Sequence, residues 1–255
     1  RSLSMNLSGM ESIAISYGLV LARVGGVAVA LPLFSFEVAP MVFRTMFVVL
    51  LSTALFVSMP PVALPAELLP AIFMDFLNGV FMGLLVRVAL GAVEVAGEIA
   101  GVQMGFGFQK TVNPLSREQS GPVTNIIFTM AGVLFFTSES HHQVVRGLAL
   151  SLHTMPLGGA EFRGDIEGLV MHNGASMLEA GFLISLPLIV VSVITQLCFG
   201  LLTRVAPQLN VFALGFAFMI GIGFWSLLLF APNVGWSIHN FFDRSLEDLV
   251  STVAG

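Results

Sequence analysis

The chain has 255 residues, of which 56% are hydrophobic and only 10% charged. Soluble globular domains carry about 45–50% apolar and about 25% charged residues, so this composition excludes an ordinary soluble enzyme and indicates an integral membrane protein. The formal net charge of −5 gives no basis for nucleic-acid binding, and the single cysteine, Cys198, cannot form a disulfide framework.

Apolar segments separated by short polar stretches predict helices along the whole chain. Alternation with a period of two is absent over any useful length, so the predicted fold class is all-α. The predicted apolar helices are, in chain order, 12–34, 41–59, 66–108, 122–137, 169–203 and 211–230, with a short amphipathic segment at 142–152.

Two of these segments are longer than the roughly 20 residues that cross a bilayer. We expect 66–108 to form a helical hairpin or a bent helix pair, and we expect 169–203, which contains Pro187, to be more than one simple span. The polar stretches between the segments have only the size of loops. Residues 1–255 are therefore predicted to form a single domain.

The C-terminal segment 236–253 predicts an amphipathic helix that lies on a membrane surface or on a partner. One side of this helix carries the acidic residues Asp243, Glu247 and Asp248. The opposite side carries apolar residues at helical spacing, which are Ile238, Phe241, Phe242, Leu246, Leu249 and Val253.

Charged residues lie within or beside the apolar segments, where each costs roughly 2.5–3.5 kcal/mol at mid-bilayer on the insertion scale. They are Arg23, Arg44, Asp75, Arg87, Glu94, Glu98 and Glu179. On a helix, Arg87, Glu94 and Glu98 fall within about 40° of one another and form a predicted buried polar stripe. A proton or ion relay and an internal salt bridge both fit this stripe, and the absence of a second, facing stripe favours the salt bridge.

Glycines at a spacing of four predict close helix packing, because two backbones can approach where no side chain intervenes. Gly97, Gly101 and Gly105 form one such row, and Gly79 and Gly83 form another. The first row ends just before a polar loop, and we expect it to pack against partner subunits.

Patterns for catalysis and metal binding are weak. His141 and His142 are adjacent, and His153 could share a helix face with His142, but no Cys, Asp or Glu completes a zinc-like spacing. Ser176 would need a histidine on a later helix to act as an intramembrane nucleophile, and His239, the only later one, lies in the amphipathic tail. We therefore predict no catalytic residue, no metal and no cofactor.

The stretch from Gln103 to Gly121 alternates glycine with Met and Phe and then turns polar at Asn113-Pro114. Its backbone groups would go unpaired in lipid, so it must be buried in protein or line an aqueous path. Glycine supplies backbone freedom, and Met and Phe supply adaptable bulk. These properties fit a gate or plug loop, and a plain surface loop is the alternative.

Several short motifs occur in order along nearly the whole chain. They are Gln103-Met104-Gly105, Asn113-Pro114, Phe135-Phe136 with His141-His142, Met155-Pro156-Leu157-Gly158, and Arg204-Val205-Ala206-Pro207-Gln208-Leu209-Asn210-Val211-Phe212 followed by Leu214-Gly215-Phe216. With these motifs the chain resembles the FliR/SctT family, the export-gate proteins of flagella and of type III secretion injectisomes. The most specific match is the nine-residue run that begins at Arg204 and contains Pro207, Gln208, Asn210 and Phe212.

The resemblance implies a core subunit of a helical export-gate assembly in the bacterial inner membrane, at the flagellar basal body. Its helices would form bent hairpins, largely raised out of the bilayer. The implied partners are FliP-like and FliQ-like subunits, an FlhB-like switch protein, membrane lipids and unfolded export substrates. Energy comes from elsewhere in that apparatus, so the resemblance implies no enzyme activity.

The resemblance also implies a plug in the central pore, which by position corresponds to 105–121. The predicted gate residues are Met104, Gly105, Phe106, Gly107, Phe108, Asn113 and Pro114. The form of the nine-residue run favours a flagellar protein over an injectisome protein. An ion or small-molecule transporter that uses the polar stripe is the third alternative, but it predicts inverted repeats, and the sequence contains no convincing internal repeat.

Overall fold

The structure is a computed structural model that describes the backbone of residues 2–31, 40–59, 65, 67–107, 120–158, 166–205 and 211–254, and their side chains except 2–9, 166–167, 211–213 and 252–254. These described residues form seven helices and no strand, which confirms the all-α fold class. The helices are α1 (Ser2–Ala30), α2 (Met41–Val57), α3 (Leu68–Gln103), α4 (Pro122–Thr137), α5 (Ser140–Thr154), α6 (Ile166–Val205) and α7 (Val211–Ala254).

Helix α3 is one continuous helix of 36 residues, so the hairpin or helix pair predicted for 66–108 is wrong. At 1.5 Å per residue it is about 54 Å long, well beyond the hydrocarbon thickness of about 30 Å. Its only proline, Pro70, lies in the first turn, where a missing N–H costs little. The length of an apolar segment therefore does not by itself indicate a break in the helix.

Helices α6 and α7 both continue through an interior proline. The 40 residues of α6 include Pro187, and the 44 residues of α7 include Pro232, so the separate segments predicted at 211–230 and 236–253 form one helix. A proline removes one backbone hydrogen bond. Packing on both sides of Pro232 outweighs that loss, since Leu227 and Val234 are both buried.

The C-terminal part of α7 is amphipathic, as predicted, but its apolar side is buried within the chain. Ile238, Phe242, Leu246 and Leu249 are each at most 2% exposed. Leu249 fills the space beside Gly147 of α5, where an added methyl group would lie 2.5 Å from its Cδ2 atom. The predicted location of this face on a membrane surface or a partner is therefore wrong for these residues.

The chain divides into two compact units. Unit 1 comprises residues 1–88, 141–170 and 244–255, and unit 2 comprises residues 89–140 and 171–243. The boundaries fall inside α3, α5, α6 and α7, so each of these helices contributes residues to both units. A single domain over the whole chain stays a prediction.

Within the part of the chain that the structure describes, four helices are long and apolar enough to cross a membrane, which makes this a helical membrane protein. The candidate spans are Met10–Ala30, Leu68–Gln103, Gly168–Val205 and Leu214–Ser251, and α4 with α5 forms a fifth candidate that is interrupted by a bend. Much of the apolar surface of α6 and α7 faces outward, with Leu197, Leu201, Trp225 and Leu228 between 64% and 74% exposed. Such a surface requires cover by lipid or protein.

The row of Gly79 and Gly83 brings α3 into close contact with α1, as its spacing predicts. A methyl group on Gly83 would lie 2.7 Å from the Val27 carbonyl oxygen, and one on Gly79 would overlap the carbonyl oxygen of Arg23. The two backbones therefore touch at this crossing, which brings the side chain of Arg23 into reach of α3.

Candidate functional site

The most deeply buried charges of unit 1 form an ion pair between α1 and α3. Arg23 is 0% exposed and Asp75 1% exposed. The Nε atom of Arg23 donates to Oδ1 of Asp75 at 2.8 Å, and its Nη2 atom donates to the same oxygen. Two of the charged residues that lie within the apolar segments thus neutralise each other.

The remaining polar atoms of the pair bind the end of α5 and the turn that follows it. Nη1 of Arg23 donates to the carbonyl oxygens of Ser151 at 2.8 Å and of Met155 at 3.2 Å. Oδ2 of Asp75 accepts the backbone N–H of Gly158 at 2.9 Å. Gly158 has a φ of 74°, a conformation that favours glycine. We call these five residues the polar clamp of unit 1.

The polar clamp assigns a structural role to two residues of a sequence motif that follows α5. Met155 and Gly158 belong to the Met155-Pro156-Leu157-Gly158 motif, and the clamp holds both ends of that turn. Removing one partner of a buried ion pair typically costs about 3–5 kcal/mol, because the other charge is left buried without a counter-charge. The packing of α1, α3 and α5 at the clamp therefore requires both members of the pair.

In unit 2, helix α3 ends in a Schellman motif at the start of the predicted gate. The N–H of Phe106 donates to Gly101 O at 2.9 Å, and the N–H of Gly105 donates to Val102 O at 3.1 Å. Gly105 has a φ of 94°. Gly105 therefore caps the C-terminal end of α3. Its packing against partner subunits as the third member of the glycine row stays a prediction.

Met104, just before this cap, is buried against α7. It is 0% exposed, and a methyl group on Gly223 would lie 2.5 Å from its Cε atom and 2.6 Å from its Cγ atom. Phe106, two residues later, packs edge-on against Phe224 with a centroid separation of 6.0 Å. We call the space beside Gly223 the methionine notch.

The far end of the predicted gate is held by Glu98 of α3. Its Oε1 atom accepts the hydroxyl of Thr124 at 3.0 Å and the N–H of Gly121 at 3.5 Å. Gly121 is the N-cap residue of α4, so the carboxylate lies where a helix N-terminus favours negative charge. A methyl group on Gly97 would lie 2.5 Å from Cα of Thr124.

Both ends of the 103–121 segment are therefore fixed within unit 2. One end is fastened by apolar packing at Met104 and the other by the carboxylate of Glu98.

Residues 14–245 of the chain match the family described as bacterial export proteins, family 1. The chain belongs to this family. Flagellar biosynthetic protein FliR of Escherichia coli (strain K12) is 30% identical over 180 residues, which are 69% of either chain. The protein of that name from Bacillus subtilis (strain 168) is 25% identical over 242 residues, 92% of this chain and 93% of the relative. The one from Caulobacter vibrioides is 24% identical over 226 residues, 86% and 90%.

The resemblance inferred from the motifs is thus confirmed, and the chain is a membrane protein of bacterial export. Part of its most specific motif lies outside the described residues, namely Pro207, Gln208 and Asn210, as do the gate residues Phe108, Asn113 and Pro114. Arg204 is exposed in the last turn of α6, and Phe212 lies in the first turn of α7. Gly107 is half-buried.

The predicted polar stripe is not buried within this export protein taken by itself. Arg87 and Glu94 are exposed, and Glu98 is half-buried. Glu98 accepts hydrogen bonds from Thr124 and Gly121 of the same chain. Burial of the stripe in an assembly stays a prediction.

Gly97 and Gly101, in the glycine row of α3, pack against α4 of the same chain. Gly97 meets Thr124, and a methyl group on Gly101 would lie 3.8 Å from Cβ of Val123. Both glycines therefore bring α3 and α4 together within one subunit. Packing of this row against partner subunits stays a prediction.

The sequence indicates that Arg23 and Asp75 are charges within apolar segments, but it does not indicate that they pair, and it gives no sign of the contact at Gly223. The signal for Gly223 is weak, because the chain contains 26 glycines. Among the described residues no three His, Cys, Asp or Glu side chains are grouped as metal ligands would be. The rings of His141 and His142 pack against each other with a centroid separation of 4.2 Å.

Proposed function

We propose that the chain is a core subunit of the flagellar protein export gate and forms part of the pore through which unfolded flagellar subunits cross the bacterial inner membrane. The observation that carries the proposal is the family match over residues 14–245. The curated relatives cited above are flagellar biosynthetic proteins, which favours a flagellar role over an injectisome role.

The apolar exterior supports a role as an obligate subunit. In the candidate spans of α6 and α7 only 28% and 22% of the most apolar window is buried inside the chain. In this proposal FliP-like and FliQ-like subunits cover much of that surface, lipid covers the rest, and an FlhB-like protein contacts the assembly. The chain itself binds no cofactor and catalyses no reaction.

The 105–121 segment is the plug of the pore in this proposal. Its anchoring at both ends supports this role, since a seal must return to one position after a substrate has passed. The side chains near its start are Met and Phe, whose apolar and adaptable surfaces suit contact with varied unfolded chains.

Co-purification tests the subunit assignment directly. A tagged chain, expressed with the rest of its flagellar operon and extracted in mild detergent, should bring down FliP-like and FliQ-like chains in constant ratio. An equally tagged, unrelated inner-membrane protein serves as the control. Recovery of the tagged chain alone, as a monodisperse species, would overturn the assignment and favour a transporter.

A further inference from the structure

We propose that lipid covers the outward face of α3 in unit 1, and that Arg87 binds the phosphate group of a lipid headgroup where the hydrocarbon layer ends. Four apolar residues define this outward face, namely Leu69, Phe73, Leu77 and Leu84. At 100° per residue, these four residues and Arg87 fall within about 80° of one another on the helix. The inference goes beyond the proposed function and depends only on the chain being a membrane protein, so it would hold equally for a transporter.

The outward face of α3 is apolar and open within the chain. Leu69 is 81% exposed, Phe73 58% and Leu77 42%. Over 68–86 the sequence contains a single charged residue, Asp75, which is buried and paired with Arg23. A contiguous apolar surface of this kind requires cover by lipid or protein, and its length decides between the two.

Exposed charged residues lie at both ends of this apolar run. Glu67 marks the acidic end, where its carbonyl oxygen accepts the N–H of Ala71 at 3.3 Å in the first turn of α3. Arg87 marks the basic end, directly after the last apolar residue of the run. A rise of 1.5 Å per residue places these two ends about 30 Å apart, which is the thickness of the hydrocarbon layer of a bilayer. Lipid requires this match, whereas cover by a partner subunit does not.

Helix α1 has a polar boundary at the same level. Arg23 meets Gly79 and Val27 meets Gly83, so residue numbers rise in step and the two helices run parallel at their crossing. The exposed Glu11 of α1 lies as many residues before Arg23 as the acidic end of the α3 run lies before Gly79, a rise of about 18 Å in both helices. Two neighbouring helices thus become apolar at one level, as a planar hydrocarbon boundary requires.

The chemistry of Arg87 suits a headgroup phosphate. Its side chain is exposed, and among the residues that the structure describes none forms a salt bridge with it. A guanidinium group can donate two parallel N–H bonds to a phosphate. The apolar stem of an arginine can lie along the outward face while its charged end reaches the headgroups. Arg87 therefore fits the boundary of the bilayer better than its hydrocarbon interior.

Spin labels at different depths test the lipid cover. The variants Glu67→Cys, Leu77→Cys and Arg87→Cys are made one at a time with Cys198→Ser, because Cys198 is exposed. The protein is reconstituted into liposomes with the partner subunits that it retains on purification. Leu77 lies about 15 Å from either end of the run, so we expect its label to be accessible to oxygen and not to a water-soluble nickel chelate. The labels at the two ends should be accessible to the chelate.

Two outcomes at position 77 would overturn the inference. A label there that neither reagent reaches would show that protein covers the face, and a label that the nickel chelate reaches would show that water does. Neither outcome depends on whether the chain belongs to an export gate, which co-purification tests separately.

Lipid binding by Arg87 is measured by native mass spectrometry of the purified protein, titrated with phosphatidylglycerol. We expect Arg87→Gln to weaken binding of this lipid several-fold. Arg146→Gln is the matched control, since Arg146 is an exposed arginine on α5 that shares a polar face with His142 and His153. Unchanged binding with Arg87→Gln, or an equal loss with Arg146→Gln, would overturn the assignment of Arg87.

Discussion

The two units of the chain fasten their helices by opposite physical means. In unit 1 the polar clamp buries a full ion pair, with Arg23 and Asp75 at 0% and 1% exposure. In unit 2 the base of the predicted plug is held by an apolar side chain in the methionine notch. Charge-assisted hydrogen bonds are directional and permit one geometry, whereas apolar contacts are non-directional. The deeply buried ion pair thus lies in unit 1, whereas unit 2 combines the apolar contact of Met104 with the half-buried carboxylate of Glu98.

The largest effect is expected from breaking the polar clamp. Asp75→Ala should lower the free energy of unfolding by about 3–5 kcal/mol, because the guanidinium of Arg23 stays buried without a counter-charge. Unfolding of the purified chain in detergent measures this loss. Glu247→Ala is the control, since that carboxylate is exposed. Equal stability of the two variants would contradict the clamp.

The double variant Arg23→Met with Asp75→Leu sharpens the same comparison. Replacing both charges by apolar groups avoids an unpaired buried charge, so the double variant should be more stable than Asp75→Ala. The N–H of Gly158 would still lose its acceptor, which leaves a deficit of about 1–3 kcal/mol. A double variant as unstable as the single one would show that the charges themselves are required.

A smaller effect is expected at the far end of the plug. Glu98→Ala removes the acceptor of Thr124 and Gly121, and we expect a loss of about 1 kcal/mol, because the carboxylate is only half-buried. Glu94→Ala, one turn earlier and exposed, is the matched control for the same unfolding measurement. A loss at Glu98 as large as that at Asp75 would remove the contrast between the units.

A local signal in the sequence located the start of α4. The Gly121-Pro122 pair predicts the start of α4, and the helix runs over 122–137 as expected, because glycine at the N-cap and proline at the first position are favoured there. The segments predicted separately at 211–230 and 236–253 form one helix through Pro232, and buried residues lie on both sides of that proline. Tertiary packing decided this outcome, and no local pattern reports it.

The pairings that build the site could not be predicted from spacing. Arg23 and Asp75 are 52 residues apart, and their partnership depends on the crossing of α1 and α3 at Gly79. Met104 and Gly223 likewise meet only because α3 ends beside α7. By contrast, the role of Gly105 could have been predicted, because glycine after the last helical residue commonly forms a C-terminal cap. Its spacing of four from Gly101 favoured helix packing as the interpretation instead.

Ion leakage through the assembled complex tests most directly whether the segment between α3 and α4 seals a pore. Complexes with and without deletion of residues 106–108 are reconstituted into potassium-loaded liposomes and compared at equal subunit content. We expect the deletion to leave assembly intact and to let potassium escape, while the unmodified complex stays tight. Tight liposomes with the deletion, together with continued export of flagellar subunits in cells, would contradict it.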